Sequence, residues 1–203
     1  FEGGEGSGKS TQSLLLKTAL EERGQEVLLT REPGGTNLGK VLRGILLDPE
    51  TGALAPRAEA LLYAADRAHH VETVIKPALA KQTVVITDRY IDSSIAYQGG
   101  GRVLSGQEIA RISRWATDGL TPTLTILLDL PAQVGFGRFA ERARLESEPL
   151  DFHERVRSTF LERAALYSDR YLVVDATQSK EDISDQILER VLRLNSISPS
   201  KDK

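Results

Sequence analysis

The chain has 203 residues, 40% of them hydrophobic and 27% charged, with a formal net charge of −3. Such a length suits one domain with a sizeable core and is short for two, and the mildly acidic balance argues against a general nucleic-acid binder. Cysteine is absent, which excludes a disulfide framework and a thiolate metal site, and no apolar run approaches the roughly 20 residues of a membrane span. A cytoplasmic protein with neither a membrane nor a nucleic-acid partner is the expectation.

The first element is a loop. "FEGGEGSGKST" carries G-x-x-x-x-G-K-[ST] from Gly3 to Ser10. In that pattern the backbone N–H groups of Gly3, Gly4, Glu5, Gly6, Ser7 and Gly8 surround a phosphate chain. Lys9 reaches its outer oxygens, and the hydroxyls of Ser10 and Thr11 open the next helix, with Ser10 placed to hold Mg²⁺. Glycine permits close backbone approach, and a helix N-terminus favours anions. A loop of this kind follows a buried strand. Only Phe1 and Glu2 precede it here, and methionine is absent, so apolar residues ahead of Phe1 are expected to be missing.

A helix over 10–23 follows, closed by Gly24 in the position of a C-cap glycine. Then β-branched and leucine-rich runs alternate with helical patterns. "EVLLT" (26–30), "TVVITD" (83–88), "LTILLD" (124–129) and "YLVVD" (171–175) read as strands buried on both faces. Helices are expected from Pro56, with a kink near Pro77, and over 105–117, 132–144, 149–169 and 180–194; the tail "SISPSKDK" is expected to fray. With the strand before the loop counted, this predicts one α/β domain over 1–203, a five-stranded parallel sheet flanked by helices in three layers.

Further chemistry gathers at the strand ends. Asp88 and Arg89 close the second run, where ligands of open α/β sheets collect; an acid there can hold Mg²⁺ and an arginine a phosphate. "TREPGGTNLGKVLRGILL" (30–47) brings Arg31, a Pro-Gly-Gly turn and Arg43 to another strand end. Tyr63 and Arg67 stand four apart on one helix face, able to stack a base and read its edge, although a core tyrosine beside a surface arginine fits the periodicity slightly better. Arg138, Arg142, Arg144, Arg155 and Arg157 crowd the segment after the fourth strand. His69, His70 and His153 have no third ligand at metal spacing and read as ordinary helix residues. A GTPase switch is disfavoured, because neither asparagine begins N-K-x-D and no aspartate begins D-x-x-G.

In order, "EGGEGSGKST", "TREPGGT", "LLYAADRAHHVETVIKPAL", "DRYIDSSIAYQGGGR", "LDLPAQVGFGRFAER" and "FHERVR" resemble the bacterial thymidylate kinases over nearly the whole chain. The resemblance implies a P-loop NTPase fold, transfer of the γ-phosphate of ATP to dTMP with Mg²⁺, and a homodimer. It further implies that Glu5 contacts the acceptor sugar 3′-OH and that Tyr63, where phenylalanine is more common, stacks on thymine. Arg67 would hydrogen-bond the base, with Ser94 and Gln98 near it and Tyr97 crowding the 2′ position. Arg43 and Arg89 would hold the acceptor phosphate, Asp88 would lie near Mg²⁺, and Arg138 would lie against adenine. A lid is implied at about 135–152, shorter than in some relatives. The phosphate loop carries no arginine, so the catalytic one would come from this lid, Arg144 ahead of Arg142. A kinase for another nucleoside monophosphate and a nucleotide-binding module without catalysis remain as alternatives.

Overall fold

The structure is a computed structural model that describes residues 1–101, 104–136, 144–145 and 147–195. Four five-residue strands form two parallel pairs. β1 (Val27–Arg31) pairs with β2 (Val84–Asp88), in register from Val27 opposite Val84 to Arg31 opposite Asp88. β3 (Thr125–Asp129) pairs with β4 (Tyr171–Asp175), from Thr125 opposite Tyr171 to Asp129 opposite Asp175. The strand expected before the loop is reduced to one parallel bridge, Glu2 to Leu127, so the described residues form four strands and not five. Two residues supply a bridge but no ladder, and Gly3, at φ 141°, already leaves the extended conformation. Phe1 and Glu2 nonetheless hydrogen-bond to both pairs. Phe1 N donates to Thr87 O at 2.8 Å and Phe1 O accepts from Arg89 N at 2.9 Å. On the other side Glu2 N donates to Ile126 O at 2.8 Å and Glu2 O accepts from Leu128 N at 2.9 Å.

Nine helices surround these strands among the described residues: α1 (Lys9–Glu21), α2 (Asn37–Leu47), α3 (Pro56–His70), α4 (Lys76–Ala80), α5 (Ile91–Ser94), α6 (Gly106–Ala116), α7 (Ala132–Phe136), α8 (Leu150–Leu166) and α9 (Lys180–Asn195). The helices expected from Pro56 and over 10–23, 105–117, 149–169 and 180–194 are present, with ends that coincide or shift by up to three residues, whereas α2 and α5 were not among those expected. The helix expected over 132–144 is described only as α7, and the tail 196–203 lies outside the described residues. The kink expected near Pro77 is a π turn over Val71–Ile75, in which Lys76 N reaches back five residues to Val71 O. Proline offers no N–H and its ring crowds the preceding turn, so the ladder loosens just before it.

Alternation along β3 divides the core. Ile126 and Leu128 enter a cluster with Leu16 and Leu20 of α1 and Ile183 and Ile187 of α9. Leu127 points the other way, among Tyr63, Tyr97, Phe152 and Phe160. Each such side chain, fully buried, contributes about 1.5–3 kcal/mol. Burial on both faces along most of the run holds for β3 alone: Val173 of β4 is 46% exposed. A hydrophobic run therefore marked the strand without marking its place in the sheet. The strands' carboxyl ends, at Arg31, Asp88, Asp129 and Asp175, point to the side where the glycine loop emerges.

Candidate active site

The loop is built for an anion. Gly6 and Gly8 adopt φ of 68° and 90°, a region closed to most side chains. A Cβ on Gly3 would stand 2.5 Å from Leu128 O, so the loop can leave the sheet only through glycine. No side chain caps α1, which leaves its first N–H groups and the positive end of its dipole turned to the loop's concave side. Lys9 folds back over this concavity: Nζ donates to Gly4 O at 2.7 Å, Gly3 O at 3.1 Å and Ser7 Oγ at 3.3 Å. Burial, then the neighbouring Arg89 charge, lowers its pKa to about 8 against the pull of Glu5 and Asp88. Ser10 Oγ donates to Asp88 Oδ2 at 2.6 Å, so the two oxygens proposed for Mg²⁺ already face each other.

Beside the loop stands Arg89, a non-glycine residue at φ 67°. Its own turn imposes that conformation: Arg89 N is tied to Phe1 O, and the buried Glu2 carboxylate accepts from Tyr90 N at 2.9 Å, Ser93 N at 3.2 Å and Ser93 Oγ at 2.5 Å. The guanidinium donates to Glu5 Oε1 at 2.6 Å, Ser93 Oγ at 3.2 Å and Gly3 O at 3.3 Å, and lies 5.0 Å over the Tyr97 ring. Tyr97 OH also donates to Glu5 Oε1, at 2.7 Å. Burial alone would raise the Glu5 carboxyl; Arg89, Lys9 and the Tyr97 hydroxyl more than reverse this and hold it at about 2. The three side chains form one hydrogen-bonded corner, with the Tyr97 ring packed at 6.2 Å from both Phe152 and Phe160.

One cavity of about 490 Å³ joins these groups to the far wall. Glu5 through Thr11, Asp88 and Arg89 line it at one end; Arg43, Tyr63, Arg67, Ser94, Tyr97 and Gln98 line it at the other. Gly3 and Gly4 form the loop behind its surface. Arg67 is no surface arginine. At 2% exposure it donates to Glu32 Oε2 at 2.7 Å, Ser94 Oγ at 3.1 Å and Tyr90 O at 2.9 Å. Tyr63 is buried, and burial followed by the nearby Glu59 charge raises its hydroxyl pKa. Arg43 donates to Pro33 O at 3.1 Å; burial and then Arg31 lower its pKa. Arg144 stands outside the cavity lining: Nε donates to Leu46 O at 2.9 Å, its backbone N to Leu47 O at 3.1 Å, and Nη2 to Glu59 Oε2. Arg138 and Arg142 lie outside the described residues.

Three features were not anticipated. His70 is not an ordinary helix residue: fully buried, its Nδ1 meets Glu32 Oε1 at 2.9 Å and its Nε2 meets Thr30 Oγ1 at 2.7 Å. It thereby fixes Glu32, and through Glu32 the plane of Arg67. The Pro-Gly-Gly turn makes room for it, since a Cβ on Gly35 would stand 2.5 Å from His70 Nε2. Secondly, "IAYQGGG" forms a π helix, Ile95–Gly101, which sets the adjacent Tyr97 and Gln98 both on the cavity wall. Glu59, the third, sits one helical turn before Tyr63; that spacing was the signal available.

Comparison with known proteins then adds identity to geometry. A family model described as Thymidylate kinase matches residues 1–187. The thymidylate kinase of Clavibacter sepedonicus is 58% identical over 194 residues, spanning 94% of this chain and 92% of that protein. That of Cutibacterium acnes is 48% identical over 194 residues, covering 96% and 95%, and that of Desulfovibrio desulfuricans 48% over 193 residues, covering 90% and 89%. With the phosphate loop, the Glu5–Arg89–Tyr97 corner and the Tyr63–Arg67 wall opening on one cavity, and with these matches along nearly its full length, the chain belongs to the thymidylate kinase family.

Proposed function

We infer that the chain, read as a single kinase domain, transfers the γ-phosphate of ATP to dTMP, giving dTDP and ADP. One observation carries this reading: a phosphate loop and a buried aromatic–arginine wall face each other across a single cavity in a chain of this family. The loop backbone and Lys9 take the ATP phosphates. Tyr63 stacks on the base, Arg67, Ser94 and Gln98 surround its edge, and Glu5 accepts from the sugar 3′-OH. Arg43 and Arg89 hold the acceptor phosphate, Arg89 from a position between the acceptor and the loop. The reaction needs little covalent chemistry from the protein. Alignment of the two phosphates and neutralisation of charge on the transferring group do most of the work.

Magnesium belongs to the same proposal. Among the described residues no group of three or more His, Cys, Asp or Glu side chains could hold a metal. A Mg²⁺ bound mainly through phosphates and water needs only one or two protein oxygens, and Ser10 Oγ with Asp88 Oδ2 fit that donor set. An ion held there would supply positive charge against the phosphates. A homodimer is supported by exposed apolar side chains on adjacent helices: Leu38, Val41 and Ile45 on one face of α2, Leu61 on α3, and Trp115, 83% exposed, on α6. Large apolar side chains left exposed on helices that pack together are what an interaction surface offers. Among the described residues no helix is long and apolar enough to cross a membrane; a cytoplasmic location completes the reading.

ADP release measured across dTMP, dUMP, UMP, dCMP, AMP and GMP tests it. The highest kcat/KM is expected for dTMP, with UMP lower by about 10²-fold or more, since the Tyr97 ring, packed against Phe152 and Phe160, would crowd a 2′-hydroxyl. Comparable values for UMP and dTMP remove Tyr97 from the sugar. A pH profile offers an independent check. Lys9 must be protonated to neutralise phosphate, and its pKa in the free protein is about 8. The kcat/KM for ATP should therefore fall with rising pH through about 8, whereas the limb in kcat should lie higher, because bound phosphate favours the ammonium. A flat profile from pH 7 to 9.5 contradicts this.

A further inference from the structure

We propose that Glu59 is a positioning residue for base selection: it takes the amide nitrogen of Gln98, so that Gln98 presents only its carbonyl oxygen to the acceptor cavity. This rests on the reading that the Tyr63–Arg67 end holds the acceptor base. Gln98 Nε2 donates to Glu59 Oε1 at 3.0 Å, and both residues are buried, at 1% and 0% exposure. A carboxylate whose other oxygen accepts from Arg144 has only lone pairs to offer. The amide orientation is thus dictated by chemistry. Turning Gln98 over would set carbonyl against carboxylate, away from water, and forfeit the hydrogen bond.

Gln98 Oε1 has no hydrogen-bond partner among the described residues, and Gln98 lines the cavity. An acceptor that opens on the cavity without a protein partner selects for a donor. Thymine carries N–H at ring position 3; cytosine, seated alike, would turn a ring lone pair against Oε1. Arg144 supports Glu59 from behind, itself fixed to the end of α2 through Leu46 O and Leu47 O. In this arrangement Arg144 stiffens the acceptor wall, and reaching the phosphates would require it to leave three partners.

The test is kcat/KM for dTMP and dCMP in the wild type, Glu59→Gln, Gln98→Ala and the double variant. Glutamine at 59 can turn either its carbonyl or its amide toward Gln98, which frees the orientation. The dTMP preference should narrow about tenfold to 100-fold in Glu59→Gln, with KM for ATP unchanged, and no further narrowing should appear when Glu59→Gln is added to Gln98→Ala. Equal losses on both monophosphates in Glu59→Gln, or narrowing that persists in the Gln98→Ala background, overturn the proposal. A Gln98→Ala variant indistinguishable from wild type removes the base from this end, and the underlying reading falls with the proposal. Should Glu59→Gln fail to fold, the wild type still decides: dTMP methylated at N3 should be at least about tenfold poorer than dTMP, and equal turnover overturns the assignment.

Discussion

Lys9→Ala is expected to lower kcat by about 10³-fold or more while leaving the fold intact. Nζ is held by Gly3 O, Gly4 O and Ser7 Oγ in the mouth of the loop, where the outer phosphates of ATP would displace some of these carbonyls. Among the loop residues from Gly3 to Ser10 no other cation stands ready. Arg89 is already committed to Glu5, Ser93 and Gly3 O. Folding should tolerate the change, because burial disfavours the ammonium in the free protein and its removal relieves that cost. The melting temperature should stay within about 4 °C of wild type, the span of roughly 1 kcal/mol in a domain of this size. Near-normal kcat in a well-folded variant would detach the phosphate loop from the chemistry.

The loop was legible in the sequence because its geometry is local: eight residues at fixed spacing dictate their own turn, and Gly3, Gly6 and Gly8 fall where φ is positive. Strand positions were legible too, since "YLVVD" coincides with β4 and the other runs are shifted by one residue at their starts. Beyond that range, legibility failed for a physical reason. Glu32 meets Arg67 and His70 across 35 and 38 residues of sequence, and nothing in the periodicity of α3 distinguishes a buried arginine from a solvated one. A π helix at "IAYQGGG" was equally hidden, because its run of glycines reads as a loop. Arg144 illustrates the converse: its place in a motif suggested a role, and only its contacts with Leu46, Leu47 and Glu59 show what holds it.

Arg89→Ala should be as damaging as the loss of Lys9, about 10³-fold or more in kcat/KM for dTMP, and it should carry a signature that Lys9→Ala lacks. Two effects combine in this residue. Its guanidinium stands where the acceptor phosphate and the loop meet, and its planar fork serves Glu5 and Ser93 at once. It is also, after burial itself, the largest influence on Glu5, and the first of those that lower the carboxyl to about 2. In the wild type, Glu5 thus stays ionised throughout the working range and should produce no acid limb above pH 4. With Arg89 removed, burial is opposed chiefly by Lys9 and the Tyr97 hydroxyl, so the carboxyl rises toward or above its ordinary value of 4.5. Protonated Glu5 is a weaker acceptor for the sugar hydroxyl, and residual activity should decline as pH falls below about 6, in proportion to the protonated fraction. Arg89→Lys sharpens the comparison. An ammonium restores the charge beside Glu5 but not the fork, so it should suppress the acid limb while recovering only part of the rate. An acid limb of the same position in wild type and Arg89→Ala, or full recovery with lysine, would reduce Arg89 to a generic positive charge and break its assigned link with Glu5.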